Sequence, residues 1–308
     1  DDNGSNSGSA YIFDLNGNFI NKINGAHGTG AAANDWFGER VAVGSGRIVV
    51  GADRDDDNGS ASGSAYIFDL DGNFIKKING AHGTGAQASD YFGSAVAVGS
   101  GRVVVGAYGD DDNSFGSGSA YVFDLDGNFI KKIDGDNGTG AAADDFFGWS
   151  VGVGSGRIVV GAYGDDDNGL SGSGSASIFD LDGNFIKKID GAHGTGAAAN
   201  DRFGWSVAVG SGRIVVGVRW DDDNGLSASG SAYIFDLDGI FIDKIDGTGG
   251  TGAQASDEFG YSVAVGSGRI VVGAPYDDDN ALPGSGSAYI FTIPNVVTVY
   301  DHKDRQYG

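Results

Sequence analysis

Short runs of apolar residues alternate with small or polar residues along almost the whole chain. In Ser9-Ala10-Tyr11-Ile12-Phe13 small and large side chains take turns, which is typical of a half-buried β-strand. Asn16-Gly17 stands between two such runs and predicts a hairpin, because both residues tolerate positive φ. No segment of useful length has the period of a helix. The pattern therefore predicts an all-β protein of short antiparallel strands.

These runs recur with a fixed period. A Phe-Gly pair begins at residues 37, 92, 147, 203 and 259, so the spacing is 55, 55, 56 and 56 residues. A constant period of this length indicates a repeat architecture. Each repeat contains four predicted strands, which in the second copy span 92–98, 102–107, 119–123 and 128–133.

Four antiparallel strands in about 50 residues are the pattern of a propeller blade. We predict a β-propeller of four-stranded antiparallel blades, with five complete repeats and a partial one, in a six- or seven-bladed ring. The first strand of each repeat is rich in small residues, which fit the crowded position near the axis. Lys131-Lys132 and its copies indicate that the fourth strand is an exposed outer edge. The single domain spans 1–300, with a partial blade at 1–25, blades at about 36–80, 91–134, 146–190, 202–246 and 258–299, and a polar tail at 301–308.

The two ends of the chain do not complete one another. The chain starts at the third strand of a repeat, and the last repeat continues through its third strand to a degenerate fourth strand at 296–300. Methionine is absent as well. We therefore expect further residues before Asp1 in the intact protein.

The composition limits the partners. With 42 acidic and 19 basic side chains the formal net charge is −23, so the chain repels nucleic-acid phosphates and anionic lipids. No apolar run approaches the roughly 18 residues of a membrane-spanning helix, and no membrane insertion is expected. The chain has no cysteine, which excludes disulfides, a thiol nucleophile and thiolate metal sites. Cations are the natural counterparts of this charge.

The acidic residues concentrate in the loops between the second and third strands. Since each blade meanders, these loops should lie at the same end as the loops between blades, which carry Asp at 35, 90, 145, 201 and 257. Calcium takes roughly six to eight oxygen ligands from carboxylates, amides, carbonyls and water. The candidate ligands of Ca²⁺ or another divalent cation are the first Asp, the third Asp and the Asn of each loop: Asp55, Asp57, Asn58, Asp110, Asp112, Asn113, Asp165, Asp167, Asn168, Asp221, Asp223, Asn224, Asp277, Asp279 and Asn280.

The same loops have a simpler interpretation, in which Asp and Asn form Asx turns exposed to solvent. Their spacing is not that of an EF-hand, where acidic residues alternate before a Gly. Crowding of several clusters on one face favours cations, because cations relieve the repulsion. Both interpretations stay open at this point.

Three motifs of the last repeat recur along nearly the whole chain. They are Phe259-Gly260-Tyr261-Ser262-Val263-Ala264, Arg269-Ile270-Val271-Val272-Gly273-Ala274-Pro275 and Gly286-Ser287-Ala288-Tyr289-Ile290-Phe291. These motifs resemble the FG-GAP repeats of integrin α-subunit propellers and their bacterial relatives. The resemblance implies a propeller, usually of seven blades, in an extracellular adhesion or surface protein with a mostly non-catalytic role. It also implies calcium in an Asp-rich loop between the FG and GAP strands. This chain has Gly44-Ser45-Gly46-Arg47 there, without a carboxylate, so that site is not carried over.

Tryptophans beside the Phe-Gly motif are candidate platforms for stacking on sugars, namely Trp36, Trp149 and Trp205. Scattered surface aromatics are the plain alternative. Near-identical repeats argue against catalysis, because an active site needs one asymmetric arrangement. We therefore predict a non-catalytic extracellular or cell-surface propeller that binds divalent cations and acts as an adhesion or structural module toward a protein or glycan surface. The alternative is a multivalent carbohydrate-binding propeller with equivalent sites between blades.

Overall fold

The computed structural model describes residues 4–27, 32–82, 87–134, 142–166, 169–193, 198–222, 225–247, 254–278 and 284–293. Single turns of 3-10 helix occur at Gly25–His27, Gly80–His82 and Gly191–His193. The other named elements of the described residues are β-strands. The strands are β1 Ala10–Phe13, β2 Phe19–Ile23, β3 Val41–Gly44, β4 Arg47–Ala52, β5 Ser64–Phe68, β6 Phe74–Ile78, β7 Ala95–Gly99, β8 Arg102–Ala107, β9 Ser119–Phe123, β10 Phe129–Asp134, β11 Ser150–Gly154, β12 Arg157–Ala162, β13 Ser175–Phe179, β14 Phe185–Asp190, β15 Ser206–Gly210, β16 Arg213–Val218, β17 Ser231–Phe235, β18 Phe241–Asp246, β19 Ser262–Gly266, β20 Arg269–Ala274 and β21 Ser287–Thr292.

The strands form six antiparallel sheets, each made from consecutive strands. We number them as blades: blade 1 (β1–β2), blade 2 (β3–β6), blade 3 (β7–β10), blade 4 (β11–β14), blade 5 (β15–β18) and blade 6 (β19–β21). The first strands of successive blades from β3 to β19 contact one another. The all-β class and the propeller-like blades are thereby confirmed. The predicted fourth strand at 296–300 lies outside the described residues.

The hairpins between third and fourth strands differ from the predicted two-residue turn. Among the central residues of the first one, only Gly17 has a positive φ, of 83°. The Asp14 carboxylate accepts the backbone N–H groups of Asn16 at 2.9 Å and Asn18 at 2.8 Å. This Asx-type turn satisfies backbone donors locally, so the second left-handed residue of a type I′ turn is not needed.

The Phe-Gly pair lies ahead of the first strand rather than inside it. Tyr91 and Gly93 have φ angles of 55° and 97°, which no β-strand accommodates, and the strand begins at Ala95. The Phe92 N–H donates to the Ser62 carbonyl oxygen of the preceding blade at 3.0 Å. Each Phe-Gly segment is thus a backbone connection between two blades.

Glycine is required on both sides of this connection because two backbones nearly touch. A Cβ on Gly106 of β8 would lie 2.0 Å from the carbonyl oxygen of Gly148, which follows Phe147 in the next repeat. A Cβ on Gly148 would in turn lie 2.1 Å from the Ser119 carbonyl oxygen. The Phe-Gly and Gly-Ala motifs therefore have a steric origin in the junction between blades.

The apolar core lies between neighbouring blades. At the junction of blades 3 and 4, Val104 and Val122 pack with Phe147, Ile158 and Val160. All five side chains are almost completely buried. The valines and isoleucines of one strand alternate between the junctions on its two sides, which explains why the middle strands read as continuous apolar runs.

The outer faces of the end blades are exposed among the described residues. Val271 and Ile290 of blade 6 are 36% and 71% exposed, whereas the matching Val215 and Ile234 of blade 5 are 0% and 9% exposed. Tyr11 and Phe13 of blade 1, at the N-terminal end of the array, are 56% and 55% exposed. These end faces have the apolar character of an internal junction without a covering sheet.

Two glycines at the same repeat position test the blade junction. A Cβ on Gly210 would lie 2.6 Å from the Val265 carbonyl oxygen, while a Cβ on Gly266 has nothing within 4 Å. We expect Gly210→Ala to lower the free energy of unfolding by about 1–3 kcal/mol, measured by urea denaturation. Gly266→Ala is the control and should be nearly neutral. Equal losses in both variants would contradict an open outer face on blade 6.

Candidate functional site

One end of the blades, which we call the loop face, carries two sets of loops. They are the loops between second and third strands and the loops that lead into each Phe-Gly pair. The prediction that they lie together is confirmed, since the Gly109 N–H donates to the Asp90 carbonyl oxygen at 3.2 Å. Gln87 Nε2 also donates to Asp112 Oδ1 at 2.8 Å.

The first Asp of each acidic loop is buried and engaged by its own blade. Asp110 is 1% exposed; its Oδ2 accepts the Tyr121 hydroxyl at 2.9 Å and lies 2.8 Å from Lys132 Nζ. The equivalent residues Asp55, Asp165, Asp221 and Asp277 are buried in the same way. In blades 2 to 5 these carboxylates connect the loop to the third and fourth strands, and in blade 6 Asp277 accepts a hydrogen bond from the Tyr289 hydroxyl of the third strand.

The third Asp shares the same lysine. Lys132 Nζ lies 2.5 Å from Asp112 Oδ2, and in blade 2 Lys77 Nζ lies 2.6 Å from both Asp55 and Asp57. The first and third Asp do converge, as predicted, and a lysine ammonium lies between them. Burial lowers the pKa of Lys132, but hydrogen bonds to Asp110 and Asp112 outweigh it, so the net pKa is raised. The ammonium therefore stays charged.

The fourth strand is the outer strand of its sheet, as predicted, but the second lysine of each pair is not exposed there. The side chain of Lys132 is only 10% exposed, because it turns inward to the acidic loop. Lys188 and Lys244 do the same, with Nζ 2.5 Å from Asp165 and 2.7 Å from Asp221. The outer strand of each of these sheets therefore directs one lysine into a buried ion pair.

The remaining candidate ligands divide into two groups. Asn58 and Asn113 are exposed at the loop tips. Six candidates lie outside the described residues: Asp167, Asn168, Asp223, Asn224, Asp279 and Asn280. Across the described ranges, no three His, Cys, Asp or Glu side chains form a group arranged to hold a metal ion. The cation site therefore stays a prediction, and any such site needs amide or backbone oxygens as well.

A second buried carboxylate stands beside each acidic loop. Asp90 is 2% exposed; its Oδ2 accepts the Gln87 N–H at 2.7 Å, and its Oδ1 is buried without a hydrogen-bond partner. Burial, followed by the nearby charges of Asp110, Asp111 and Asp112, raises the pKa of Asp90 to about 7, although the Gln87 N–H lowers it. Asp35 has a pKa of about 6 for the same reason, burial first. Burial is thus the main cause of both raised pKa values, and the charge of the neighbouring acidic loop adds to it.

The loop face surrounds one cavity of about 400 Å³, which we call the axial cavity. It is lined where the first strands of blades 2 to 6 begin, as expected around the axis of a propeller. Its lining includes Arg40, Trp149, Ser150, Trp205, Ser206 and Tyr261.

Two of the three predicted tryptophan platforms meet at this cavity. The ring centroids of Trp149 and Trp205 are 4.8 Å apart, and that of Tyr261 is 6.0 Å from Trp205. The Arg219 guanidinium lies 3.5 Å from the Trp205 ring centroid and holds that indole in place. Trp36 does not line the cavity; its ring lies 4.0 Å from the Arg54 guanidinium.

Sequence reasoning missed Arg40, Arg219 and Tyr261. A signal for them does exist in the comparison of the repeats with each other. The position after each Phe-Gly pair holds Glu39, Ser94, Trp149, Trp205 and Tyr261, and the position after Gly-Ala or Gly-Val holds Asp53, Tyr108, Tyr163, Arg219 and Pro275. These positions differ between repeats whose strands are nearly identical, and all of them belong to the loop face.

Comparison with known proteins gives one result. The family model for the FG-GAP repeat matches five segments, residues 27–68, 83–123, 138–179, 193–235 and 251–291. No curated protein matches the chain. Among the described residues, no helix has the length and apolar character needed to cross a membrane.

Removal of the lysine tests the buried ion pair. Lys132→Met leaves Asp110 buried without its cation, so we expect the free energy of unfolding at pH 7 to fall by roughly 3–5 kcal/mol. Lys131→Met is the matched control, since Lys131 Nζ makes only a long exposed contact of 3.4 Å with Asn184. Urea denaturation measures both variants. Similar small losses would show that the Lys132 pair contributes little to stability.

Substitution of Asp90 should change how the free energy of unfolding depends on pH. The folded state holds the Asp90 proton more tightly than the unfolded state, whose pKa is near 3.8. The contribution of Asp90 to stability is therefore complete below pH 4 and is lost as pH rises toward 7. Asp90→Asn cannot ionise, and its amide oxygen can still accept the Gln87 N–H. We expect it to be more stable than the wild type at pH 8, by on the order of a few kcal/mol, and similar at pH 4.

Urea denaturation across this pH range measures the effect. Asp71→Asn, in an exposed hairpin turn at the other end of blade 2, is the control and should not change the pH profile. An Asp90→Asn profile parallel to that of the wild type would contradict the raised pKa.

Proposed function

This chain belongs to the FG-GAP repeat family, and we propose from that premise that it is a non-catalytic interaction module of the extracellular space or the cell surface. Its loop face contacts the partner. The observation that carries the proposal is the arrangement of differences between repeats. Positions at the blade junctions, such as Phe92 and Phe147 or Val104 and Val159, are the same from one repeat to the next. The position directly after the Phe-Gly pair varies, since it holds Glu39, Ser94, Trp149, Trp205 and Tyr261, so the fold does not dictate it.

We further propose that the acidic loops hold divalent cations, Ca²⁺ in the first place. The clustering of acids supports this, since the charges of Asp110, Asp111 and Asp112 add to the burial that raises the pKa of Asp90 to about 7. A cation at the loop lowers this repulsion, and the oxygens of Asp112 and Asn113 are accessible to it. Such a cation competes with the Lys132 ammonium for Asp112.

Calcium titration tests the cation proposal. Thermal unfolding is measured with excess chelator and then with Ca²⁺ or Mg²⁺ restored, and calorimetry counts the bound ions. Binding to the folded state alone raises stability by about 2.7 kcal/mol at a free concentration of a hundred times Kd. Asp112→Asn should lower the number of bound Ca²⁺ ions by one, while Asp71→Asn should not change it. Unchanged melting in chelator together with no calorimetric signal would reject the cation proposal.

Carbohydrate is a second candidate partner, and it is favoured by the convergence of Trp149 and Trp205 on the axial cavity. Aromatic rings with one accessible face suit the apolar face of a pyranose. A glycan array with the wild type and Trp205→Ala tests this candidate. Binding that disappears in the variant supports it, and binding that persists rejects it.

A further inference from the structure

We propose that the axial cavity is a single binding site for a saccharide that carries a carboxylate. The inference rests on the carbohydrate-binding candidate above and adds the place, the stoichiometry and the charge of the ligand. It differs from the predicted set of equivalent sites between blades.

The wall of the cavity is aromatic on three successive blades. Trp149, Trp205 and Tyr261 occupy the same position in blades 4, 5 and 6. Tyr261 is 39% exposed, and Tyr163 lies behind the two indoles, at 4.8 Å from Trp149 and 5.1 Å from Trp205. The rings are held by other rings and by Arg219, so a ligand meets a prearranged surface that loses little entropy on binding.

The strands beside this wall supply hydroxyl groups. Ser150 Oγ donates to the Gly204 carbonyl oxygen at 2.8 Å, and Ser206 Oγ donates to the Gly260 carbonyl oxygen at 2.9 Å. Each hydroxyl uses its proton in the blade junction and keeps its lone pairs. These oxygens can therefore accept hydrogen bonds from sugar hydroxyl groups next to the stacked ring.

Arg40 gives the cavity its charge preference. Its side chain is 52% exposed, its NH1 lies 3.5 Å from Glu39 Oε1 and donates to the Glu39 carbonyl oxygen at 3.3 Å. A guanidinium has five N–H donors, so donors remain for a bidentate carboxylate. The matching positions in blades 3 to 6 hold Ala95, Ser150, Ser206 and Ser262, and none of them carries a charge.

Further arginines place positive charge around the aromatic wall. Arg202 and Arg219 both contact Trp220, with guanidinium-to-ring distances of 4.2 and 4.5 Å. Burial, and then the neighbouring Arg202 charge, lower the pKa of Arg219, although Glu258 opposes this. Within the described part of the chain, the arginines that do not recur in each repeat all lie on the loop face: Arg40, Arg54, Arg202 and Arg219. Glu39 and Glu258 lie beside Arg40 and Arg219, so an anionic group is recognised here through the guanidinium donors and not through a net positive charge.

The stoichiometry follows from the geometry. One shared cavity is lined by residues of five different blades, namely Arg40, Ala95, Trp149, Trp205 and Tyr261. A ligand in this cavity contacts several blades at once, so one molecule binds per chain.

Isothermal titration calorimetry with two matched disaccharides tests the proposal. Cellobiouronate and cellobiose differ only in a carboxylate that replaces a hydroxymethyl group. We expect about one cellobiouronate per chain, with an affinity at least about tenfold above that of cellobiose. Trp205→Ala should abolish measurable binding, and Trp36→Ala, a tryptophan change on the same face but outside the cavity, should leave it unchanged. Arg40→Gln should lower the affinity for cellobiouronate about tenfold and leave that for cellobiose unaltered.

Trp205→Phe keeps an aromatic ring and so separates an effect on binding from an effect on folding. We expect this variant to melt like the wild type and to bind the disaccharide more weakly. Equal affinities for the two disaccharides, with no effect of Arg40→Gln, would overturn the charge preference. About five bound molecules, or equal losses in Trp36→Ala and Trp205→Ala, would overturn the single axial site. Failure of the folded protein to bind either sugar would overturn the inference together with the carbohydrate candidate. The calcium titration then still decides separately whether the acidic loops bind cations.

Discussion

The structure depends on the close approach of two backbones at every Phe-Gly pair. There the chain leaves one blade, pairs with the preceding blade through the Phe92 N–H, and enters its own first strand. The carbonyl oxygen of Gly148 lies where any side chain on Gly106 would begin. The apolar core between blades, the position of the acidic loops and the curvature around the axial cavity all require this contact. For that reason glycine recurs at these points while other loop positions change.

Some carboxylates of the loop face form buried ion pairs that stabilise the fold, and others are exposed to solvent. The first Asp of each described acidic loop is buried, and in blades 2 to 5 it pairs with a lysine of the fourth strand, as Asp110 pairs with Lys132. In blades 2 to 5 the second Asp is exposed, and so are Asn58 and Asn113 in blades 2 and 3. A loop of three acids and one amide therefore combines a structural ion pair with groups that are available to solvent or ligands. The axial cavity differs from the acidic loops because aromatic side chains and arginines lie there, while the carboxylates of the loops lie further from the axis.

Much of the fold could be predicted because the repeat fixes it. The strands Arg102–Ala107 and Ser119–Phe123 lie where the alternation of apolar residues places them. The first strand was predicted to start at Phe92, because a buried Phe continues an apolar run whatever its backbone does. Only the positive φ of Gly93 shows that the run contains a connection to another blade. Burial alone cannot distinguish a strand residue from such a connection.

The site was less accessible to sequence reasoning. The first and third Asp were predicted to converge, and they do, but the lysine between them is 20 residues beyond Asp112 and looked like a surface residue. Trp149 and Trp205 were recognised singly, whereas their contact requires the curvature of successive blades. Arg40 and Tyr261 had no motif of their own. The available signal was that their positions differ between repeats. This signal points to a binding site only when the first strands are known to surround a cavity.

The open faces of the end blades have a consequence for the cooperativity of unfolding. A blade inside the array is held by two junctions, whereas blade 1 and blade 6 are each held by one among the described residues. In arrays of this kind stability is close to a sum of intrinsic and nearest-neighbour terms, so fraying starts at the ends. Amide hydrogen exchange should then be slowest in β12 and β8 and fastest in β1 and β21. The central blades, which hold Trp149 and Trp205, form the most persistent part of the molecule.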